Sequence, residues 1–259
     1  MTCNEEILYL RELAKRYASF ALSEENVAKK ERCRKVNDLI PQRPPVWIDE
    51  IPWREMNTDD ELTQHCEDSI HRSIEWFLLV NLYRMKHIPV DTVLPDYYPM
   101  WKHYSSTGIG VSIDEKVITV NKDSYISSHS FGDCLDTEEK LDLLCAPVIT
   151  PHPDEDKACT AAAEQVFDGI LPVRAVASHA SSTPWDMLTR LRGVEPIYVD
   201  LYERPDFMHK CVSKLVEIEL KRLEQLERYG LLSVEPPTLH CTPPYTNGLP
   251  SENYDPCSV

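Results

Sequence analysis

The clearest helical patterns lie at the two ends of the chain. Apolar residues recur every three or four positions over residues 4–21, which predicts an amphipathic helix. A second, strongly charged helix is predicted over 24–39, ending before Pro41. The last predicted helix, 205–230, has a proline at its first position and a glycine at its end, which is the usual asymmetry of helix termini.

Between these ends, short β-type runs alternate with helical patterns. The predicted strands are 43–50, 90–94 and 170–176, with a hairpin formed by 108–113 and 116–120. The predicted helices are 67–87, 136–144, 154–168 and 184–191. Strands that alternate with helices are typical of an α/β domain with a largely parallel sheet.

The expected architecture is an α/β fold of the (β/α)8 TIM-barrel type, preceded by an N-terminal helical extension over 1–40. A complete barrel typically has about 250 residues, and only five to six βα units can be placed within 41–259. We therefore expect either a smaller open sheet or the N-terminal part of a longer barrel. An incomplete barrel exposes sheet edges, so we expect a homo-oligomer or a covering segment.

Charge and composition narrow the range of partners. The chain has 43 acidic and 27 basic residues, a net charge of −16 that is spread along its length. Such a surface repels phosphate backbones and anionic membranes, so neither nucleic acid nor membrane is expected as a partner. There is no apolar run of membrane-spanning length and no signal peptide pattern. The nine cysteines lack a CxxC pair and are expected to be reduced thiols in a cytoplasmic protein.

Several segments resemble the uroporphyrinogen decarboxylase superfamily. The most distinctive are PWDMLTRLRG at 184–193 and DLYERP at 200–205, a short helix ending in glycine that leads into a further helix start. Three more segments are similar to the family's first strand, its second strand with the exit, and the following hairpin: 43–47, 89–96 and 108–111. The resemblance extends from about residue 43 to residue 230.

This resemblance implies a (β/α)8 barrel with its active site at the carboxyl ends of the strands. It also implies one of two activities. Members of the superfamily either decarboxylate a porphyrinogen in haem synthesis or transfer a methyl group from a small methylated substrate to a corrinoid-binding protein. Members are longer than this chain, so a truncated, non-catalytic chain is a third hypothesis.

The charges after the first predicted strand favour the methyltransferase. In the decarboxylase this loop carries arginines that bind the substrate carboxylates, whereas this chain has Asp49 and Glu50, and its first basic residue there is Arg54. Two carboxylates repel a polycarboxylate by about 1 kcal/mol per charge pair at 4 Å in water. The decarboxylase remains the alternative, because Asp96 matches the family's acidic residue after the second strand.

Residues that follow barrel strands face the active site. This rule selects Asp49 and Glu50 as a general base or metal ligands, although a solvated loop pair is an equally good interpretation. It also selects Asp96, Tyr97 and Tyr98, whose aromatic rings and hydroxyls suit an aromatic substrate. The alternative for the tyrosines is packing in the core or at its rim.

Four further residues complete the predicted site. His129 and His179 lie in small polar stretches after β-type runs and are candidate acid/base residues, although a single histidine is more often structural. Arg174 lies among apolar residues of a predicted strand. We expect it to be buried, with a substrate carboxylate or one of the two acids of the first loop as its partner. Trp53, in that loop, is a predicted substrate contact.

Zinc is the metal hypothesis. The resemblance implies a site with a His-x-Cys motif and a later cysteine, where zinc acts as a Lewis acid. Here His240 and Cys241 are adjacent, and adjacent strand residues point to opposite faces. The alternative is a histidine that lines a pocket and a structural cysteine. No GxSxG, P-loop, dinucleotide or HExxH motif is present, which disfavours those chemistries.

Overall fold

A computed structural model describes residues 2–119, 127–233 and 244–248. The chain is a mixed α/β protein in which helices predominate and strands are short. The helices are α1 (Cys3–Ala21), α2 (Glu24–Asn37), α3 (Trp53–Met56), α4 (Ser69–His87), α5 (Glu138–Leu141), α6 (Pro153–Phe167), α7 (Pro184–Arg192), α8 (Val194–Glu203) and α9 (Pro205–Arg228). The strands are β1 (Tyr98–Trp101), β2 (Tyr104–Ser106), β3 (Glu115–Ile118), β4 (Ser128–Phe131), β5 (Ile149–Pro151) and β6 (Val173–Val176).

The strands of the described residues form three separate two-stranded sheets. β1 pairs with β6 in parallel, whereas β2 with β5 and β3 with β4 are antiparallel. No closed barrel is present among the described residues. No helix in the described part of the chain is both long and apolar enough to cross a membrane.

The chain forms two compact units, each built from discontinuous segments. The first unit comprises Met1–His103, His152–His179 and Leu232–Val259, and the second comprises Tyr104–Pro151 and Ala180–Leu231. In the first unit α1, α4 and α6 pack around a core that includes Leu10, Leu78 and Phe167. In the second, α7 and α8 pack on α9 around a core that includes Leu188 and Leu191.

The long helices agree with the periodicity. α1, α2, α4, α6 and α9 confirm the predictions over 4–21, 24–39, 67–87, 154–168 and 205–230. Side-chain caps explain several of the starts: the Ser23 hydroxyl accepts the backbone N–H of Asn26 at 3.1 Å, and the Asp68 carboxylate accepts those of Ile70 and His71.

The first two predicted strands, 43–50 and 90–94, are not formed. The segments do meet at Val46 and Asp91, where the Asp91 N–H donates to the Val46 carbonyl at 2.9 Å. In return the Val46 N–H donates to the carboxylate of Asp91 at 2.8 Å, so a side chain takes the place of a backbone carbonyl. Pro44, Pro45 and Pro89 have no N–H to continue a ladder.

A second side chain satisfies the backbone farther along the same segment. The buried amide of Asn26 accepts the N–H of Leu94 at 2.9 Å and donates to the Leu94 carbonyl at 2.8 Å. Asn26 therefore fills both positions that a neighbouring strand would occupy. The segment is buried, yet the backbone of Leu94 forms its hydrogen bonds with a side chain and not with a strand.

Other predicted elements need correction. β3 pairs with β4, not with 108–113, where the positive φ of Gly108 and Gly110 interrupts an extended run. The predicted helix 136–144 is reduced to the single turn of α5. The predicted strand 170–176 shortens to β6, 184–191 extends by one residue to form α7, and α8 was not predicted as a helix of its own.

An ion network centred on the buried Arg192 lies in the second unit. Arg192 is 1% exposed and bonds both carboxylate oxygens of Asp133, at 3.1 and 2.9 Å, and Asp200 at 2.6 Å. Arg204 binds the same Asp200 through two bonds of 2.6 Å. Hydrogen bonds from Arg204 and then Arg192 lower the pKa of Asp200. A buried guanidinium satisfied in this way joins α7, α8 and the loop before α5.

Gly193 separates α7 from α8 in a conformation that only glycine adopts readily. Its φ is 75° and its ψ is 163°. A Cβ there would lie 2.8 Å from the carbonyl oxygen of Phe131 on β4. The glycine therefore allows the close approach of the helix junction to the hairpin.

We expect Gly193→Ala to destabilise the chain more than Gly169→Ala. Both glycines have positive φ, but a Cβ at Gly169 meets nothing within 4 Å. Backbone strain costs about 1–3 kcal/mol for a non-glycine residue in such conformations, and Gly193→Ala adds the clash with Phe131. Denaturant unfolding of both variants measures the difference. Equal losses would show that the approach to Phe131 does not limit the residue at 193.

A buried carboxylate links α1 to the start of α4. Glu6 accepts the backbone N–H of Glu67 at 2.6 Å and pairs with the ring Nδ1 of His71 at 2.6 Å. The hydrogen bond from Glu67, followed by that from His71, lowers the pKa of Glu6. Glu6 therefore stabilises the fold above the pKa of an unfolded glutamate, about 4.5, and this contribution is lost as the pH falls through the folded pKa.

We expect Glu6→Gln to lower the free energy of unfolding by about 1–2 kcal/mol at pH 7, because a charge-assisted hydrogen bond is lost. The difference in the free energy of unfolding between wild type and variant should become smaller below about pH 4.5. Guanidinium unfolding between pH 7 and pH 3.5 measures it. Glu12→Gln, at an exposed position of α1, is the control and should cost less than about 0.5 kcal/mol. A gap that stays constant with pH would contradict the assignment.

Candidate functional site

A hydrogen-bonded histidine and aspartate lie at the carboxyl end of the parallel pair. His103 follows β1, and Asp156 lies in the first turn of α6, which leads to β6. The ring Nδ1 of His103 is 2.8 Å from Asp156 Oδ1, and the same oxygen accepts the backbone N–H of His103 at 2.8 Å. Both residues are partly buried. We call this pair the His103–Asp156 dyad.

The surrounding backbone fixes the dyad. The His152 N–H donates to the His103 carbonyl at 3.0 Å, and the Asp156 N–H donates to the His152 carbonyl at 3.1 Å. Glu155 Oε1 lies 3.9 Å from Nε2 of His103. Because Asp156 occupies Nδ1, Nε2 is the ring nitrogen available for proton transfer to another molecule. The arrangement can therefore act as a general acid or base.

His179 lies at the same end of the sheet as the dyad. It follows β6, whose pairing with β1 continues to the hydrogen bond from Lys102 N–H to the Val176 carbonyl. Beyond this hydrogen bond, Ser178 forms an isolated parallel bridge with Leu232. In sheets of parallel strands, ligands bind at the carboxyl ends. The predicted catalytic His179 therefore follows the carboxyl end of the parallel pair in the first unit.

Asp49 pairs with a partly buried arginine of α4, Arg84. Its carboxylate lies 3.5 Å from Nη2 of Arg84, and the guanidinium of Arg84 lies 5.1 Å from the ring centre of Trp53. Burial lowers the pKa of Arg84, and the charge of Asp49 opposes that shift. The Nε of Arg84 has no acceptor among the described residues. The structure thus brings two predicted site residues together around Arg84, while Glu50 is exposed.

The predicted site residues on the parallel pair β1–β6, and those just before β1, differ in their exposure and contacts. Arg174 is exposed, not buried as expected, because β6 has β1 as its only ladder partner among the described strands. Its guanidinium lies 4.6 Å from the ring centre of Tyr97, near the amino end of the parallel pair. Asp96 is exposed. Tyr98 stacks on Phe167, and burial raises the pKa of its hydroxyl to about 12.

The remaining predicted residues lie elsewhere. His129 is on β4 in the second unit, where Nδ1 lies 2.7 Å from Glu115. His240 and Cys241 lie outside the described residues. Within 2–119, 127–233 and 244–248, no three side chains of His, Cys, Asp or Glu converge as metal ligands would.

The dyad was missed by sequence reasoning. The run 97–101, which contains β1 (Tyr98–Trp101), is rich in aromatic residues and is a strand signal, and Lys102 and His103 follow it directly. If the second strand had been predicted over 98–101 and not over 90–94, His103 would have followed its carboxyl end. Nothing in the sequence pairs His103 with Asp156, which lies 53 positions farther along the chain.

Comparisons with known proteins identify no relative: no family model matches the chain, and no curated protein or solved structure matches it either.

We expect proton NMR to show the imidazole N–H that joins the dyad. A proton held between a ring nitrogen and a carboxylate exchanges slowly and resonates far downfield. The signal should disappear in both His103→Ala and Asp156→Ala, because either change removes one side of the bond. It should persist in Asp154→Ala, which removes an exposed acid from the same helical turn. Persistence of every downfield signal in Asp156→Ala would contradict the dyad.

Proposed function

We propose that the chain belongs to a uroporphyrinogen decarboxylase-like (β/α)8 barrel and transfers a methyl group from a small methylated substrate to a corrinoid-binding partner protein. The observation that carries the proposal is the His103–Asp156 dyad at the carboxyl end of the parallel pair β1–β6. A cytoplasmic location and a homo-oligomeric state remain predictions from the sequence.

Parallel pairing supports the barrel architecture. Parallel neighbours need a crossover connection, and here α6 precedes β6 and packs against both strands. After α7, α8 and α9, the chain returns to bridge Ser178 in parallel at Leu232. A strand, a crossover that contains a helix and a parallel strand, as in β1, α6 and β6, form the repeating unit of this class of barrel.

The dyad suits the proton demand of methyl transfer. When a methyl group leaves nitrogen, oxygen or sulfur for the reduced corrinoid of the partner, the electron pair of the broken bond stays on that heteroatom. The heteroatom then needs a proton, which Nε2 of His103 can donate. Asp156 holds the ring by Nδ1 and stabilises its protonated form before the transfer. His103 is the proposed acid, and Asp156 is a positioning residue.

The charges near Asp49 support methyl transfer over decarboxylation. Binding of a porphyrinogen with several carboxylates requires guanidinium groups that are available to the substrate. The arginine beside this segment, Arg84, is largely buried, pairs with Asp49 and lies against Trp53. The pairing with Asp49 leaves this arginine less available to a substrate carboxylate.

We expect the purified chain to methylate reduced cobalamin when supplied with methylamines or aromatic methyl ethers, followed by the change in cobalamin absorbance. His103→Gln should slow the reaction at least about 100-fold, because general acid catalysis contributes about 10²–10⁴. His209→Gln, at an exposed position of α9, is the control and should leave the rate unchanged.

Two outcomes would overturn this assignment. Tight binding and decarboxylation of uroporphyrinogen without methyl transfer would show that the alternative activity is correct. Absence of both reactions with all substrates in a folded sample would support the third hypothesis, a non-catalytic chain. Equal rates for wild type and His103→Gln would remove the dyad from the mechanism.

A further inference from the structure

A serine, a histidine and a glutamate form a hydrogen-bonded series on the hairpin β3–β4. The Oγ of Ser127 lies 3.1 Å from Nε2 of His129, and Nδ1 of His129 lies 2.7 Å from Oε1 of Glu115. The two ring nitrogens of one histidine thus contact a hydroxyl on one side and a carboxylate on the other. This is the order of contacts that activates a serine nucleophile, and it is recognised by geometry, not by a sequence motif.

The strand pairing explains why these side chains meet. Residues two apart on a strand point to the same face, so Ser127 and His129 share a face while Ser128 and Ser130 point to the other. In the ladder His129 is opposite Val117, and Glu115 is its diagonal neighbour, within reach of a long side chain. The His129 ring lies nearly parallel to that of Phe131, at 6.5 Å between centres. The histidine is therefore supported on two sides.

We propose that Ser127 is an activated nucleophile that cleaves small carboxylic esters. Ser127 Oγ attacks the acyl carbon while its proton passes to Nε2 of His129, and Glu115 stabilises the resulting imidazolium. The bond to the leaving alcohol breaks, and His129 returns the proton to that alcohol. Water then attacks the acyl–serine by the reverse route, which releases the acid and restores Ser127.

The surroundings define the substrate class. His129 is 46% and Glu115 is 36% exposed by side chain, so the surface is open and offers little binding energy to a large substrate. A chain with a net charge of −16 repels anionic esters. The site therefore suits short, uncharged or cationic acyl esters with a good leaving group. This activity is independent of the methyl transfer proposed for the first unit.

The test uses the full chain with p-nitrophenyl acetate and with a serine-selective fluorophosphonate. We expect ester hydrolysis above the rate of free imidazole and a single label that peptide mass spectrometry assigns to Ser127. Ser127→Ala should remove both. His129→Gln and Glu115→Gln should lower the hydrolysis rate, the former by about 100-fold or more.

Ser130→Ala and Ser128→Ala are the matched controls, since each removes a hydroxyl from the same strand on its opposite face. Both should retain wild-type hydrolysis and labelling. Far-ultraviolet circular dichroism confirms that every variant is folded. Labelling at a cysteine or at another serine, unchanged hydrolysis in Ser127→Ala, or a wild-type rate no greater than that of imidazole would each overturn the proposal.

Discussion

The hydrogen bonds that join β1 to β6 in parallel organise the first unit. A parallel pair cannot be closed by a tight turn, so the chain must cross back through a helix, and α6 performs that role. The same geometry places the residues that follow both strands at one edge. Tyr98 anchors β1 in the core against Phe167, while His103 emerges from the other end of the strand beside Asp156.

The second unit shows that a distinctive sequence motif can be structural. The RLRG and DLYERP segments contribute Arg192, Asp200 and Arg204 to one ion network, in which Arg192 and Asp200 are buried and Arg204 is exposed. A buried guanidinium tolerates few replacements, because removal of one partner leaves a charge without compensation. In this structure the pairing of Arg192 with Asp200 joins α7 to α8.

Much of the helical structure could be predicted from the sequence, but the sheets and the site could not. Helix periodicity identifies α1, α4 and α9, and local caps support the starts of α1 and α4, because these signals are contained within the helix itself or lie next to it. A strand must form hydrogen bonds with a neighbouring strand. In the segment 90–94, the backbone of Leu94 bonds to the side chain of Asn26 instead. In the same way, Asp156 meets His103 only because α6 returns to the end of β1. Such contacts depend on tertiary topology, which periodicity does not encode.

The chain passes from the first unit to the second twice. Each time, a backbone hydrogen bond joins residues at the points where it leaves and returns. His103 and His152 are joined by a backbone hydrogen bond of 3.0 Å, and Ser178 and Ser233 by one of 2.8 Å. The first unit therefore holds together the two ends of each segment that enters the second unit, whatever the length of that segment. Closing a longer loop at such a point adds only about 0.6 kcal/mol per doubling of its length. These two junctions are places where evolution can lengthen, shorten or exchange segments while the parallel pair stays intact.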